Sequence, residues 1–185
     1  MALIVTDTGG SFEAIPTGVF PAVCCSLWDL GLQPGFQGQG QAHKVVVGWE
    51  IGERKTEGEW AGKRFVVTKT YTASLNEKAN LRKDLESWRG RPFTQEELGG
   101  FDLEKVIGAP CMLNLVAQTT KAGKTWTGIA AIMPLAKGAE KLAVETSREY
   151  MPKWIQALLG MAQAEKSGGS EPSFDDDIPF GPAIY

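Results

Sequence analysis

Alternation of apolar and polar residues predicts most of the regular structure in this chain. In residues 44–51 every second side chain is apolar or aromatic, and in residues 63–71 the same holds except at Lys69; such alternation is typical of strands with one buried face. A short, charged, glycine-containing stretch separates the two runs, so they predict a hairpin. The five predicted strands are residues 19–30, 44–51, 63–71, 111–119 and 125–135, and the last two form a second hairpin with a basic turn.

Helical periodicity is confined to three segments. Residues 74–88 carry apolar side chains three or four positions apart, with Ser74 as the predicted N-cap. Residues 94–98 predict one short capped helix that ends at two glycines. Residues 147–164 predict a C-terminal helix with one broad apolar stripe.

The order of these elements indicates a fold class. Three strands, a helical connection and two further strands are the order of the five-stranded OB-fold barrel, in which one face and the loops between strands 1 and 2 and between strands 4 and 5 bind single strands. We therefore predict an all-β domain with accessory helices over residues 1–164: an OB-fold-like barrel, a helical connection between strands 3 and 4, and a C-terminal helix. Residues 165–185 are predicted to be a flexible linker and an acidic tail.

Charge divides the chain in the same way. The formal net charge of the 185 residues is -3, but residues 164–185 hold five acids and one lysine. The remaining chain holds 17 acids and 18 bases and is slightly basic. A basic body joined to an acidic tail is typical of a polyanion binder that carries its own competitor.

Motifs for catalysis or metal binding are not recognisable. Cys24, Cys25, Cys111 and the single His43 lack the spacing of a zinc site, and they predict reduced thiols in an intracellular protein. A P-loop reading of residues 118–125 fails because Gln118 stands where glycine is required. No apolar run approaches the roughly 20 residues of a membrane span. We predict no enzymatic activity, no cofactor, no metal site and a soluble cytoplasmic protein.

Binding a single strand without reading its sequence requires cations along the phosphates and aromatic faces on which bases stack. The basic candidates are Lys44, Arg54, Lys55, Arg64, Lys69, Arg82, Lys83, Arg89, Arg91, Lys121 and Lys124. The aromatic candidates are Phe36, Trp49, Trp60, Tyr71, Trp88 and Trp126. Trp49, Trp88 and Trp126 fit a core position equally well, whereas Phe36 and Trp60 lie in polar loops and are expected to be exposed.

The tail contains an acidic cluster with apolar neighbours. Three consecutive carboxylates cannot be buried together without partners, so the cluster should be solvated. Its candidate partner-binding residues are Phe174, Asp175, Asp176, Asp177, Ile178, Pro179 and Phe180. Such a tip suits a basic pocket with an apolar floor. A tail that only increases solubility is the alternative.

Residues 175–180 resemble the acidic tip of bacterial and phage single-stranded DNA-binding proteins, where a run of Asp precedes Ile-Pro-Phe. The main chain resembles the phage-encoded, OB-type proteins more diffusely, in residues 44–51 and 71–93. The resemblance implies that the tip recruits replication and repair proteins and can occupy the DNA groove when DNA is absent. The family's tip ends on Phe, whereas this chain continues to Tyr185. Either Tyr185 takes the terminal role or the tip serves another partner.

These observations predict sequence-independent binding of single-stranded DNA in replication, recombination and repair, with partner proteins recruited through the tail. RNA as the ligand and assembly into a homo-oligomer both stay open. One alternative is a protein-interaction adaptor whose barrel binds protein. Another is a nuclease or recombination enzyme whose site is not visible in the sequence.

Overall fold

The computed structural model describes residues 13–35, 40–121 and 123–166, with side chains as far as Gly160. The strands are β1 (Gly18–Pro34), β2 (Gln41–Arg54), β3 (Arg64–Thr72), β4 (Pro110–Thr119) and β5 (Thr125–Met133). The helices are α1 (Asn80–Arg89), α2 (Gln95–Leu98), a 3-10 turn (Leu103–Val106) and α3 (Lys153–Lys166). The predicted mostly-β fold with a few helices is confirmed. Within the described ranges, no helix is both long and apolar enough to span a membrane.

One antiparallel sheet holds all five strands, in the order β3-β2-β1-β4-β5. β1 pairs with β4 through Gly18–Val23 and with β2 through Ala22–Pro34, so one long strand belongs to both halves of the sheet. Register shifts after Cys24 and Asp29 interrupt its pairing with β2 and favour a bend there. The sheet is open, yet Cα atoms of its two edge strands, β3 and β5, come within 8 Å of each other.

The main core lies on the inner face of this curved sheet, and α1 packs across it. Leu81, Leu85 and Trp88 are the buried side chains of α1. The indole N–H of Trp88 donates to the Pro110 carbonyl at 2.9 Å, and its ring centroid lies 5.9 Å from that of Trp49. α1 contacts both β3 and β5, so it bridges the two edges of the sheet.

Two helices begin later than the periodicity predicts. Residues 74–79 are not helical, because the Ser74 hydroxyl accepts from the Asn76 N–H and the Asn76 side chain accepts from the Lys78 N–H. Such local bonds satisfy the backbone without a helix. α3 begins after Pro152, whose carbonyl accepts the first helical N–H groups and which has no N–H of its own to place inside a helix.

Candidate nucleic-acid interface

The outer face of β1 and β2 is covered by the chain itself. Trp28, Leu30 and Val46 form a second apolar cluster with Ile155 of α3, and all four are buried. The ring of Trp28 lies flat over Gly48, where a Cβ atom would come within 3.0 Å of it. This face is therefore closed to a ligand in the described structure.

A buried ion pair holds residues 143–146, in the segment before α3, against the sheet. The Glu50 carboxylate is fully buried and accepts the N–H groups of Glu145, at 3.0 Å, and Thr146. Arg64, whose side chain is 12% exposed, lies 3.4 Å from Glu50 and donates to the Ala143 carbonyl at 2.7 Å. The sheet thus holds residues 143–146 by charge-assisted hydrogen bonds.

Most of the predicted DNA-binding cations already have an acidic partner. Arg54 binds both oxygens of Glu145, and these hydrogen bonds lower the pKa of Glu145. Hydrogen bonds from Arg91, the Thr94 N–H and Arg89 lower the pKa of Glu97 to about 2. The predicted cations in ion pairs are Arg54, Arg64, Lys69 with Asp84, Arg82 with Glu86, and Arg89 and Arg91 with Glu97. These pairs would have to open before a phosphate could replace the carboxylates.

Three of the predicted stacking residues lie in the core. Trp49, Tyr71 and Trp88 are 1%, 3% and 7% exposed, so no base can reach their rings without unfolding. The hydroxyl of Tyr71 donates to Asp84 at 2.7 Å, which ties it further to α1. Lys44 is also buried, at 6% exposed. The structure therefore places these four predicted residues away from any accessible interface.

The accessible candidates gather at one end of the sheet. Because neighbouring strands are antiparallel, the β2–β3 turn at residues 55–63 and the β4–β5 turn at residues 120–124 project from the same end. Residues 13–15 connect the two hairpins: Glu13 accepts hydrogen bonds from Thr56, and the Ile15 carbonyl accepts one from Thr127 at 2.8 Å.

Four lysines at this end are available to a ligand. Lys55, Lys63, Lys121 and Lys124 form no ion pair with any residue in the described ranges. Lys63 was not among the sequence candidates, although its place at the end of a charged turn could have indicated it. Lys83, on α1, is likewise exposed and outside the ion pairs seen in the described part, but it belongs to another element.

Trp60 stands in the β2–β3 turn and is half exposed. Gly58 and Gly62, with φ of 78° and 80°, give the turn a left-handed conformation at two points that favours glycine. The Lys55 ammonium lies 5.9 Å from the Trp60 ring centroid, within the range of a cation–π contact. The turn thus presents an aromatic face and a cation side by side.

Trp126 lies at the start of β5, opposite Gln118 of β4. Its ring covers Gly128: a Cβ atom built on Gly128 would lie 2.5 Å from the indole, and 3.0 Å from the Gln118 side-chain amide. The absent side chain at position 128 therefore leaves room for the indole against the sheet. Trp126 is half-buried.

We expect Gly128→Ala to displace the Trp126 ring and to lower the free energy of unfolding by about 1–3 kcal/mol, because the added methyl group overlaps the indole. Urea unfolding and the emission maximum of tryptophan measure the two effects. Gly100→Ala is the matched control, since Gly100 lies outside the helices and strands and a Cβ atom there meets nothing within 4 Å. An unchanged stability and spectrum in Gly128→Ala would contradict the described packing.

In the described ranges, the acidic side chains form no metal-binding cluster and the three cysteines are buried. Within the described ranges there is no group of three or more His, Cys, Asp or Glu side chains that could hold a metal ion. Cys24, Cys25 and Cys111 are buried free thiols, and burial raises the pKa of Cys111 to about 12 and that of Cys25 to about 11. Such thiols stay protonated at neutral pH and are poor nucleophiles.

Two groups of predicted residues lie outside the described ranges. They are Phe36, in the loop between β1 and β2, and the tail residues Phe174, Asp175, Asp176, Asp177, Ile178, Pro179 and Phe180. Comparison with known proteins gives no family: no protein-family model matches the chain, and no curated protein matches it.

Proposed function

We propose that this chain binds single-stranded DNA without sequence preference, through the end of the sheet formed by its two hairpin turns. The body would be an OB-fold-like barrel. This assignment is supported by the strand order, by the sharing of β1 between both halves of the sheet, and by the helix between β3 and β4 that bridges the edge strands.

The observation that carries the proposal is the separation of free from paired cations. All other arginines and lysines on the candidate list, except Lys83 on α1, are buried or bound to carboxylates, while Lys55, Lys63, Lys121 and Lys124 flank Trp60 and Trp126 at one end. Lysines beside accessible indole rings are the combination that single-strand binding needs, because phosphates and base faces are recognised together.

The proposal extends to replication, recombination and repair through the tail. Because residues 175–180 resemble the acidic tip of single-stranded DNA-binding proteins, we propose that they recruit partner proteins and compete with DNA for the basic surface. Competition of this kind would act on the same four lysines, which have no acidic partner in the described ranges and lie together at one end of the sheet.

The test is a titration with oligo-dT, followed by tryptophan fluorescence at several salt concentrations. We expect quenching, with an affinity that falls as salt rises. Lys121→Gln with Lys124→Gln should reduce the magnitude of the log–log salt slope by about 1.4, at about 0.7 for each lost phosphate contact on a single strand. The matched control, Lys78→Gln with Lys105→Gln, removes the same charge from exposed positions in the connection between β3 and β4, which leaves and rejoins the sheet at its opposite end.

No quenching at low salt would reject the proposal and favour the adaptor alternative. Equal slopes for the two double variants would reject this end of the sheet as the interface. The same titration with oligo-U distinguishes DNA from RNA as the preferred ligand.

A further inference from the structure

The β2–β3 turn holds a carboxylate from outside the hairpin. Glu13 accepts the Thr56 N–H at 2.8 Å and the Glu57 N–H at 3.3 Å through one oxygen, and the Thr56 hydroxyl at 3.0 Å through the other. Two successive backbone N–H groups and a hydroxyl thus converge on a single anion. We call these three donors the turn nest.

The turn nest is built for a negative charge. Successive backbone N–H groups in a turn form an anion-binding concavity, and hydrogen bonds to an ionised oxygen are stronger than neutral ones. Partial desolvation of Glu13 works to raise its pKa, but the bonds from Thr56 and Glu57 and the nearby Lys55 ammonium together hold the pKa below its usual value. Glu13 is therefore ionised in the nest at neutral pH.

A phosphate diester offers the nest a similar partner. Its two non-bridging oxygens carry one shared negative charge and accept hydrogen bonds, as the two oxygens of a carboxylate do. The nest also belongs to the turn that carries Lys55, Trp60 and Lys63. A DNA strand with a base stacked on Trp60 would bring its phosphates to this turn.

Glu13 can leave the nest without releasing its own segment. Two residues further on, the Ile15 carbonyl accepts a hydrogen bond from Thr127 on β5, and Ile15 packs against the main core. The contacts of residue 15 are independent of those of residue 13. Removal of the carboxylate should therefore open the nest with little other change.

We propose that the turn nest is a phosphate subsite of the single-strand interface, and that the Glu13 carboxylate occupies it until a backbone phosphate displaces it. The inference rests on the proposed function. It adds an internal competitor that lies in the folded body, at the opposite end of the sequence from the acidic tail. When a DNA strand binds, Thr56 and Glu57 would exchange their hydrogen bonds to Glu13 for hydrogen bonds to a phosphate.

The test compares Glu13→Gln with Glu59→Gln in oligo-dT titrations across a salt series. Both variants remove one negative charge near the β2–β3 turn, but Glu59 makes no hydrogen bond within the described ranges. Only Glu13→Gln therefore weakens the occupant of the nest, because the neutral amide oxygen is a poorer acceptor than the carboxylate. We expect Glu13→Gln to bind about 3–10-fold more tightly than Glu59→Gln at low salt. The two salt slopes should be alike, because the donors of the nest are neutral and both variants remove the same charge, so the affinity is the readout.

A second variant keeps the test independent of any loss of structure around Glu13. Thr56→Val removes the hydroxyl donor and leaves both N–H groups, so Glu13→Gln with Thr56→Val should lose part of the gain. Equal affinities for Glu13→Gln and Glu59→Gln, while the wild-type protein binds oligo-dT, would overturn the phosphate subsite alone.

Inorganic phosphate provides a readout that does not depend on DNA. In Glu13→Gln, added phosphate should shift the amide NMR signals of Thr56 and Glu57 more than it does in the wild-type protein. If neither protein binds oligo-dT but these signals shift, the proposed function fails and the anion site stands. Signals that do not respond to phosphate in either protein would overturn the anion site.

Discussion

Replacing Glu50 with alanine is expected to lower the free energy of unfolding by about 3–5 kcal/mol, the cost of breaking a buried ion pair by removing one partner. Glu50 is fully buried and accepts N–H groups from Glu145 and Thr146, and Arg64 lies beside it. Without the carboxylate, two part-buried N–H groups lose their acceptor, and Arg64 keeps only the Ala143 carbonyl and the more exposed Glu145 as partners. Urea unfolding measures the loss.

Two companion variants separate charge from packing. Glu50→Gln retains an acceptor oxygen and should lose less stability than Glu50→Ala. Replacement of both Glu50 and Arg64 by methionine removes the charges together, and such paired apolar replacements are often neutral or stabilising. Hydrogen exchange at residues 143–160 should accelerate in Glu50→Ala and less so in the double variant. A Glu50→Ala protein as stable as the wild type would contradict the described pair.

Replacing Trp60 and Trp126 together with alanine is expected to weaken oligo-dT binding more than any charge variant. Stacking of one base on an aromatic ring is worth about 1–3 kcal/mol, so each single variant should lose about 5–150-fold in affinity. Trp60 is half exposed beside Lys55, and the Trp126 ring lies over Gly128. Fluorescence anisotropy of a labelled oligo-dT measures the loss without relying on the tryptophans themselves.

Phenylalanine at the same positions retains a stacking face and should recover most of the affinity. Tyr150→Ala is the matched control, because Tyr150 is an exposed aromatic residue in the segment before α3 and belongs to neither turn. Affinity unchanged in the double alanine variant would remove both rings from the proposed interface. A loss of equal size in Tyr150→Ala would point instead to a general effect of removing aromatic surface.

The sequence predicted a strand well where one face is buried and the other is not. Residues 65–71 of β3 show that asymmetry as alternation, whereas residues 44–51 of β2 are buried on both faces. The same alternation cannot tell which buried residues lie under α1 and which under α3. Trp49 and Trp28 are both buried tryptophans, yet they lie on opposite faces of the sheet.

The candidate interface was harder to predict, because residues distant in the sequence decide whether a basic side chain is free or paired with a carboxylate. Arg64 and Glu50 are 14 residues apart, and the N–H of Glu145 that Glu50 accepts is 95 residues away. Composition counts all these side chains as surface charge. Only the fold shows that Arg54 and Arg64 bind residues 143–146, whereas Lys121 and Lys124 have no acidic partner in the described ranges.

The arrangement of β3 and β5 also bears on how a second polypeptide could associate with this domain. An exposed edge strand presents a row of main-chain donors and acceptors that invites strand addition and aggregation. Here the two edge strands face each other, with α1 across the gap between them. Protein partners of this domain should therefore be recognised through side chains, and self-association by β-augmentation should be disfavoured.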